Sequence, residues 1–146
     1  MAETINLQII TPEKLFYEGE VEIVIVRTPL GEEGFMANHI WACKLLDIGE
    51  LWLRESGQKE YKVAAVAGGF IDVKDEIMIF VDAAEWPSEI NVERQNATKL
   101  RAEERLNAAL TSTGENKEHE ILEAKKSIKK AENRLNVHAG GKKPRK

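Results

Sequence analysis

The stretch IFVDAAEWPSEINVERQNATKL, residues 79–100, decides the fold, because two kinds of chain meet inside it. Up to Val81 the chain is a series of short apolar runs, the last of them Ile77 to Val81; from Asn91 onward the apolar period lengthens from 2 to about 3.6 residues. Composition changes at the same place. Cut at Trp86-Pro87, residues 1–86 carry 7 Lys and Arg against 16 Asp and Glu, a net −9, whereas residues 89–146 carry 14 against 9, a net +5. All nine aromatic residues and 7 of the 10 glycines precede the cut. Opposite charge and unequal aromatic content mark two structural units, which 146 residues with 42% apolar content are long enough to provide.

Working back from the cut, Ile5, Leu7 and Ile9 alternate with Thr4, Asn6 and Gln8, the period of a half-buried strand. Val21 to Val26, Leu45 to Leu53, Tyr61 to Val66 and Phe70 to Val73 are further strand-like runs. Turn material separates them at Gly31 to Gly34, Glu55 to Gln58, Gly68-Gly69 and Lys74 to Glu76. Short strands at such regular spacing indicate an all-β sandwich or barrel, and the lack of strand-helix alternation argues against a parallel nucleotide-binding sheet.

Working forward, Asn91 is an N-cap candidate, and Ala102, Leu106, Ala109 and Leu110 fall on one helical stripe. Turn chemistry at residues 111–116 interrupts the pattern. A second helix is predicted from about Asn116 to Val137, with Ile121, Ala124, Ile128, Ala131 and Leu135 along one face. Glu118, Glu120 and Glu123 precede Lys125, Lys126, Lys129, Lys130 and Arg134, the order that complements the helix dipole. The second unit therefore reads as an antiparallel helical hairpin. Its seam is rich in alanine, so the hairpin should need the β unit or a partner to hold it shut.

Catalytic chemistry is not legible. His39, His119 and His138 have no metal-ligand spacing, and the single cysteine, Cys43, excludes an internal disulfide framework and reads as a small core residue. No metal site and no catalytic residue is expected. Gly68-Gly69 lacks the Lys-Ser or Lys-Thr of a phosphate loop and reads as a tight hairpin turn. Trp41, Trp52 and Trp86 read as core or subunit-interface anchors. The tail from Gly140 to Lys146 offers either a solvated flexible end or a contact for nucleic acid or an acidic surface, and the solvated end is preferred. No run approaches the ~18 apolar residues of a membrane span, and the N-terminus lacks signal-peptide character. The expectation is a product that neither spans a membrane nor is secreted.

Leu7-Gln8-Ile9-Ile10-Thr11-Pro12-Glu13, Gly31-Glu32-Glu33-Gly34-Phe35, Asn38-His39 and Ala67-Gly68-Gly69-Phe70-Ile71-Asp72-Val73 occur in that order along the chain. Together they resemble the epsilon-subunit family of the rotary F-type ATP synthase, over nearly the whole length. The resemblance implies an α+β fold in two units, an N-terminal antiparallel β-sandwich followed by a C-terminal antiparallel α-helical hairpin. It divides the chain into a docking domain over 1–86, a regulatory hairpin over 87–137 and a flexible basic tail over 138–146. After the Gly-Phe pair, where the family carries two prolines, this chain reads Met36-Ala37-Asn38-His39-Ile40-Trp41. That edge faces the membrane-embedded c-ring in relatives, which makes Glu32, Glu33 and His39 candidate c-ring contacts by resemblance.

Some bacterial relatives bind ATP in the folded hairpin through a motif of Ile or Leu, Asp, two variable residues, Arg and Ala. Here the stretch is Ile90-Asn91-Val92-Glu93-Arg94-Gln95, an amide replacing the acid and a glutamine the alanine. Glu85, Arg94, Arg101 and Arg134 match further nucleotide-facing positions by resemblance, and Lys130 replaces an arginine, which keeps charge but loses the planar fork. The other reading of these arginines is a solvated face of a charged hairpin. The resemblance thus implies a non-catalytic central-stalk subunit with no obligatory cofactor and ATP as a weak regulatory ligand. Its partners would be the gamma subunit, the c-ring and the α and β subunits of the catalytic head, with no nucleic acid and membrane contact only through the complex. It would be peripheral on the cytoplasmic face of a bacterial plasma membrane. Lys125, Lys126, Lys129, Lys130 and Arg134 form the basic face expected to meet acidic head surfaces and oppose ATP hydrolysis. A nucleotide-sensing ATP-binding regulator is the alternative, and a nucleic-acid adaptor resting on the basic tail is the third reading.

Overall fold

The computed structural model describes residues 3–141. The alternation at the start of the chain becomes β1 (Ile5–Ile10), with Ile5, Leu7 and Ile9 inward. β2 (Leu15–Thr28) is 14 residues long and organises the unit. Its first half pairs antiparallel with β1, and its second half with β3 (Gly31–Met36) and β5 (Gly49–Glu55). An irregularity in the β2–β5 register between Val21 and Ile23 accompanies the change of partners, as bulges bend strands. The order is β4-β7-β8-β1-β2-β5-β6-β9, with β4 (Ala42–Leu46), β6 (Lys62–Val66), β7 (Gly69–Val73), β8 (Ile77–Val81) and β9 (Ala84–Glu85). Only the β1–β8 pairing is parallel among the described pairs.

The sheet folds on itself into a β-sandwich. Leu7, Ile9, Ile71, Ile77 and Ile79 from one end of the strand order meet Val24, Val26, Phe35, Leu51 and Leu53 from the other in a single fully enclosed cluster. At ~1.5–3 kcal/mol for each large side chain removed from water, this core dominates the stability of the unit.

Several local expectations change. Gly31 to Gly34 is strand rather than turn, because the reversal is made earlier, at Pro29-Leu30, where the Thr28 hydroxyl donates to Gly31 O and accepts from Leu30 N. The run Leu45 to Leu53 is two strands. Asp47 breaks it by turning its carboxylate back onto the amide of Ile48, at 2.8 Å, an alternative to ladder pairing that short acidic side chains favour. Gly68-Gly69 is not a hairpin turn, since β6 pairs with β5 and β9 whereas β7 pairs with β4 and β8. Cys43, expected in the core, is exposed, because β4 ends the strand order and turns most of its residues outward. Trp52 is buried, whereas Trp41, just before β4, is exposed, which leaves it the subunit-interface half of its reading.

A 3-10 turn at Pro87–Glu89 leads into α1 (Val92–Thr111), whose N-cap Asn91 accepts from Arg94 N at 3.0 Å. α2 is Lys117–His138. Ala102 and Ala109 of α1 and Ala124 and Ala131 of α2 are buried, while Leu106, Ile121, Ile128 and Leu135 are half-buried and Leu110 is exposed. The small residues therefore form the centre of the seam, where they let two helices approach closely with little apolar area gained per residue. Ion pairs Lys99–Glu132 and Arg105–Glu120, both 3.5 Å, bridge the helices.

Because the enclosed cluster contains no helical residue, a fragment ending at Pro87 is expected to unfold cooperatively on heating. Trp86 belongs to it, stacked on Phe16 at 4.6 Å and edge-on to Tyr17. Broad, non-cooperative melting of the fragment would place the helices in its core and move the boundary.

Candidate functional site

The hairpin meets the β unit along the last three turns of α2. Lys129 donates to both oxygens of Asp47, at 3.0 and 2.9 Å, and Asn133 to Gly49 O at 2.9 Å. Arg134 pairs with Glu85 at 2.8 Å. Asn136 donates to one oxygen of Glu50 at 2.5 Å, and the Trp52 indole donates to the other at 2.9 Å. Val137 is fully buried in a small cluster with Ala65 and Ile90, against which Val63 packs. Most of this contact is polar, which the sequence reading missed. Asn133 and Asn136, three apart on an otherwise charged helix, were its only signal.

The basic face thus divides. Lys129 and Arg134 are engaged by carboxylates of the β unit, and Lys130 lines a small crevice against Ala65 and Val66. Lys125 and Lys126 are exposed and make no ion pair among the described residues.

Between the start of α1 and the β8–β9 connection lies a cleft of about 600 Å³, lined by Glu85, Arg94 and Arg134 among others. Of the four residues matched to a nucleotide site it brings together these three; Arg101 does not line it and instead lies 3.5 Å from the Thr98 hydroxyl on its own helix. Fit to a triphosphate is mixed. Four carboxylates, Glu13, Asp82, Glu85 and Glu89, face three cations, Lys14, Arg94 and Arg134, and two of those cations already pair with Glu89 and Glu85. Asn91 uses its side-chain oxygen to cap α1. Gln95, at the position where an alanine is expected, is buried with its side-chain oxygen unpartnered.

The three candidate c-ring contacts lie on β3 and the turn after it. Glu32 and Glu33 point to opposite sides of the strand, toward Arg27 at 3.4 Å and Lys44 at 2.5 Å respectively. His39 tilts over Phe35 at 4.8 Å, and its Nδ1 lies 2.7 Å from Ile40 O. Asn38 takes a left-handed φ of 65°, which asparagine tolerates, so the turn is made without the family's prolines. Apolar side chains stand exposed close by in the chain, Ile40 and Trp41 in the turn and Leu45 opposite Phe70 in the β4–β7 pair. Residues 142–146 of the proposed basic tail lie outside the described residues, whereas His138 belongs to α2. No group of acidic, histidine or cysteine side chains able to hold a metal occurs among the described residues, and no helix is long and apolar enough to cross a membrane.

Comparison with known proteins agrees with this architecture. The family profile of the ATP synthase delta/epsilon chain beta-sandwich domain matches residues 4–87. An ATP synthase epsilon chain of Alkaliphilus oremlandii is 44% identical over 110 residues, covering 75% of this chain and 81% of the relative. That of Caldanaerobacter subterraneus is 37% identical over 139 residues, covering 94% and 95%. Among solved structures, a chain of the Euglena gracilis mitochondrial ATP synthase complex containing OSCP, F1 and the c-ring superposes with a TM-score of 0.73 at 21% identity, covering 89% of this chain and 78% of that one, a likeness of fold. With strands, helices and matched residues in one order over nearly the full length, the chain belongs to the epsilon-subunit family of the F-type ATP synthase.

Proposed function

We propose that this epsilon-family chain is a non-catalytic subunit of the central stalk, coupling ion-driven rotation to ATP synthesis and restraining ATP hydrolysis through its helical arm. The observation that carries the reading is the match to epsilon chains across both units, 94% of the chain in the longest of the alignments above. The exposed apolar side chains around β4 and β7 suit docking of the β unit on the gamma subunit. The turn bearing Glu32, Glu33 and His39 is the proposed contact with the c-ring. The arm, folded as described, permits rotation. Extended, it lays its basic helix against acidic surfaces of the α and β subunits, and opposite charge draws the two together before specific contacts form. The complex would hold the chain peripherally at the cytoplasmic face of a bacterial plasma membrane. Purification of the complex with and without this chain tests the reading, with hydrolysis and ion-coupled synthesis both assayed. Unchanged coupling and hydrolysis in its absence would overturn it.

A nucleotide-sensing role is the second reading, favoured by the convergence of Arg94 and Arg134 on one cleft. Binding of ATP to the isolated protein is expected to be weak, because a triphosphate must displace Glu85 from Arg134 and finds no carboxylate at Asn91. Isothermal titration checks this. Micromolar or tighter affinity, lost in Arg94→Ala and in Arg134→Ala, would make nucleotide sensing the leading reading.

A further inference from the structure

Charge on the edge formed by β3 and the turn after it is already matched from within. Glu32 pairs with Arg27 and Glu33 with Lys44, so the carboxylates of the strand offer little net charge to a partner, and the Asn38 amide reaches back to the carboxylate of Glu3. His39 is held too, over the Phe35 ring and against Ile40 O. What the edge leaves unmet is apolar. Ile40 is 83% exposed, Trp41 64% and Met36 51%, and the Trp41 ring stacks on no other ring among the described residues. Covering such side chains releases the water around them, and a tryptophan brings one of the largest areas to cover.

The backbone explains why these side chains stand together. Phe35 points into the core, so Met36 beside it points out, on the same side as Glu32 but ~13 Å further along the strand. In register Met36 is opposite Ile23, which is half-buried and reaches toward Gly34, where a Cβ would stand 3.3 Å from Ile23 Cδ1. The apolar surface thus continues from the turn onto the sheet. The turn itself is closed by His39 N donating to Met36 O at 3.3 Å and by the left-handed Asn38, and it delivers Ile40 and Trp41 to the outside. It is also where the chain departs from the prolines of the family pattern.

We propose that the c-ring contact of this chain is apolar, with Met36, Ile40 and Trp41 seated on an apolar patch of the c-ring and Trp41 as the anchor. This rests on the c-ring reading above and changes its chemistry, since the resemblance assigns the contact to Glu32, Glu33 and His39. Continuity chooses the partner. The three side chains flank His39 on the edge assigned to the c-ring, whereas Leu45 and Phe70, assigned to gamma, stand on β4 and β7. A buried aromatic anchor carries much of the energy of an interface, while paired charges around it fix orientation. Salt screens exposed charges and does not weaken apolar burial, so it separates the two chemistries.

The experiment measures the affinity of the full chain for gamma alone and for gamma bound to the detergent-solubilised c-ring. The c-ring should tighten binding, and that gain should hold between about 50 and 500 mM salt. In Ile40→Ser/Trp41→Ser the gain should fall by about tenfold or more, with affinity for gamma alone at the wild-type value, which also shows that the variant is folded. Trp41→Phe should keep the gain to within about threefold. A gain that collapses with salt, or survives in the serine variant, would overturn the apolar contact. The salt arm uses the wild-type chain, so it decides even where the serine variant fails to fold. Loss of affinity for gamma alone at unchanged Tm would give the turn to gamma and overturn the assignment of these residues to the c-ring. Absence of any gain in the wild-type chain would overturn the c-ring reading itself and this inference with it, a failure distinct from the other two.

Discussion

Deletion of residues 88–146 is expected to raise ATP hydrolysis by the assembled complex severalfold while leaving assembly intact. Docking is assigned to the β unit, whose enclosed core contains no helical residue, so the truncated chain keeps every strand and the apolar side chains around β4 and β7. Restraint is assigned to the arm. Charge variants divide its role further. Lys125→Gln/Lys126→Gln removes cations that make no ion pair among the described residues, so hydrolysis should rise with the arm still seated. Lys129→Gln/Arg134→Gln removes the ion pairs with Asp47 and Glu85 and the proposed inhibitory contact together, so the arm should unseat without a matching gain in inhibition. Changing all five cations of the basic face to glutamine should reproduce most of the effect of deletion. Moderate salt should weaken inhibition as well, since exposed charges are screened over ~8–10 Å near physiological ionic strength. Equal hydrolysis by intact and truncated complexes at low salt would remove the inhibitory role. Activation by deletion but not by the five-residue glutamine variant would assign restraint to steric insertion and apolar packing.

The two units were legible because each keeps one periodicity over many residues. β1 shows the alternation of Ile5, Leu7 and Ile9, and α2 shows Ala124 and Ala131 buried seven residues apart. What was hidden depends on which strands become neighbours. Gly68-Gly69 has the composition of a turn and became a crossing, because β7 finds β8 and β4 rather than β6; no local rule carries that choice. Cys43 has a core-like side chain and is exposed, because β4 is the end of the strand order. The candidate site was partly legible in the same sense. Glu85, Arg94 and Arg134 share a cleft, but Asp47 and Glu50 lie more than eighty residues before their partners Lys129 and Asn136 in the chain. Charge alone could not pair them, since sixteen carboxylates of the first unit were available.

Gly69→Ala should be the most damaging conservative change in the β unit, with a cost of ~4 kcal/mol or more, the size that a forced backbone displacement in a packed sheet produces. A Cβ at Gly69 would stand 1.9 Å from Phe80 O and 2.8 Å from Val81 Cα, and both neighbours are backbone, which cannot swing away as a side chain can. Its φ of 156° adds a conformation that residues with a Cβ rarely adopt. Gly68 beside it is a control. Its φ is 48° and a Cβ there would meet Leu46 O at 3.7 Å, an ordinary contact, so Gly68→Ala should cost only the ~1–2 kcal/mol of a left-handed alanine, and Gly68→Asn less. In thermal unfolding Gly69→Ala should lower Tm by about 15 °C or more, or abolish the transition, against roughly 5–10 °C for Gly68→Ala. The functional consequence follows from register. Gly69 pairs with Val81 and with Leu46, so moving it displaces β7 from both neighbours, along with Phe70, which stacks on Phe80 at 4.9 Å and stands opposite the exposed Leu45. Association with the stalk should therefore weaken in Gly69→Ala even at temperatures where the domain remains folded, while Gly68→Ala keeps it. Equal stability of the two variants would mean that β7 and β8 separate freely at this point, and the glycine pair would then owe its place to the crossing from β6 to β7 alone.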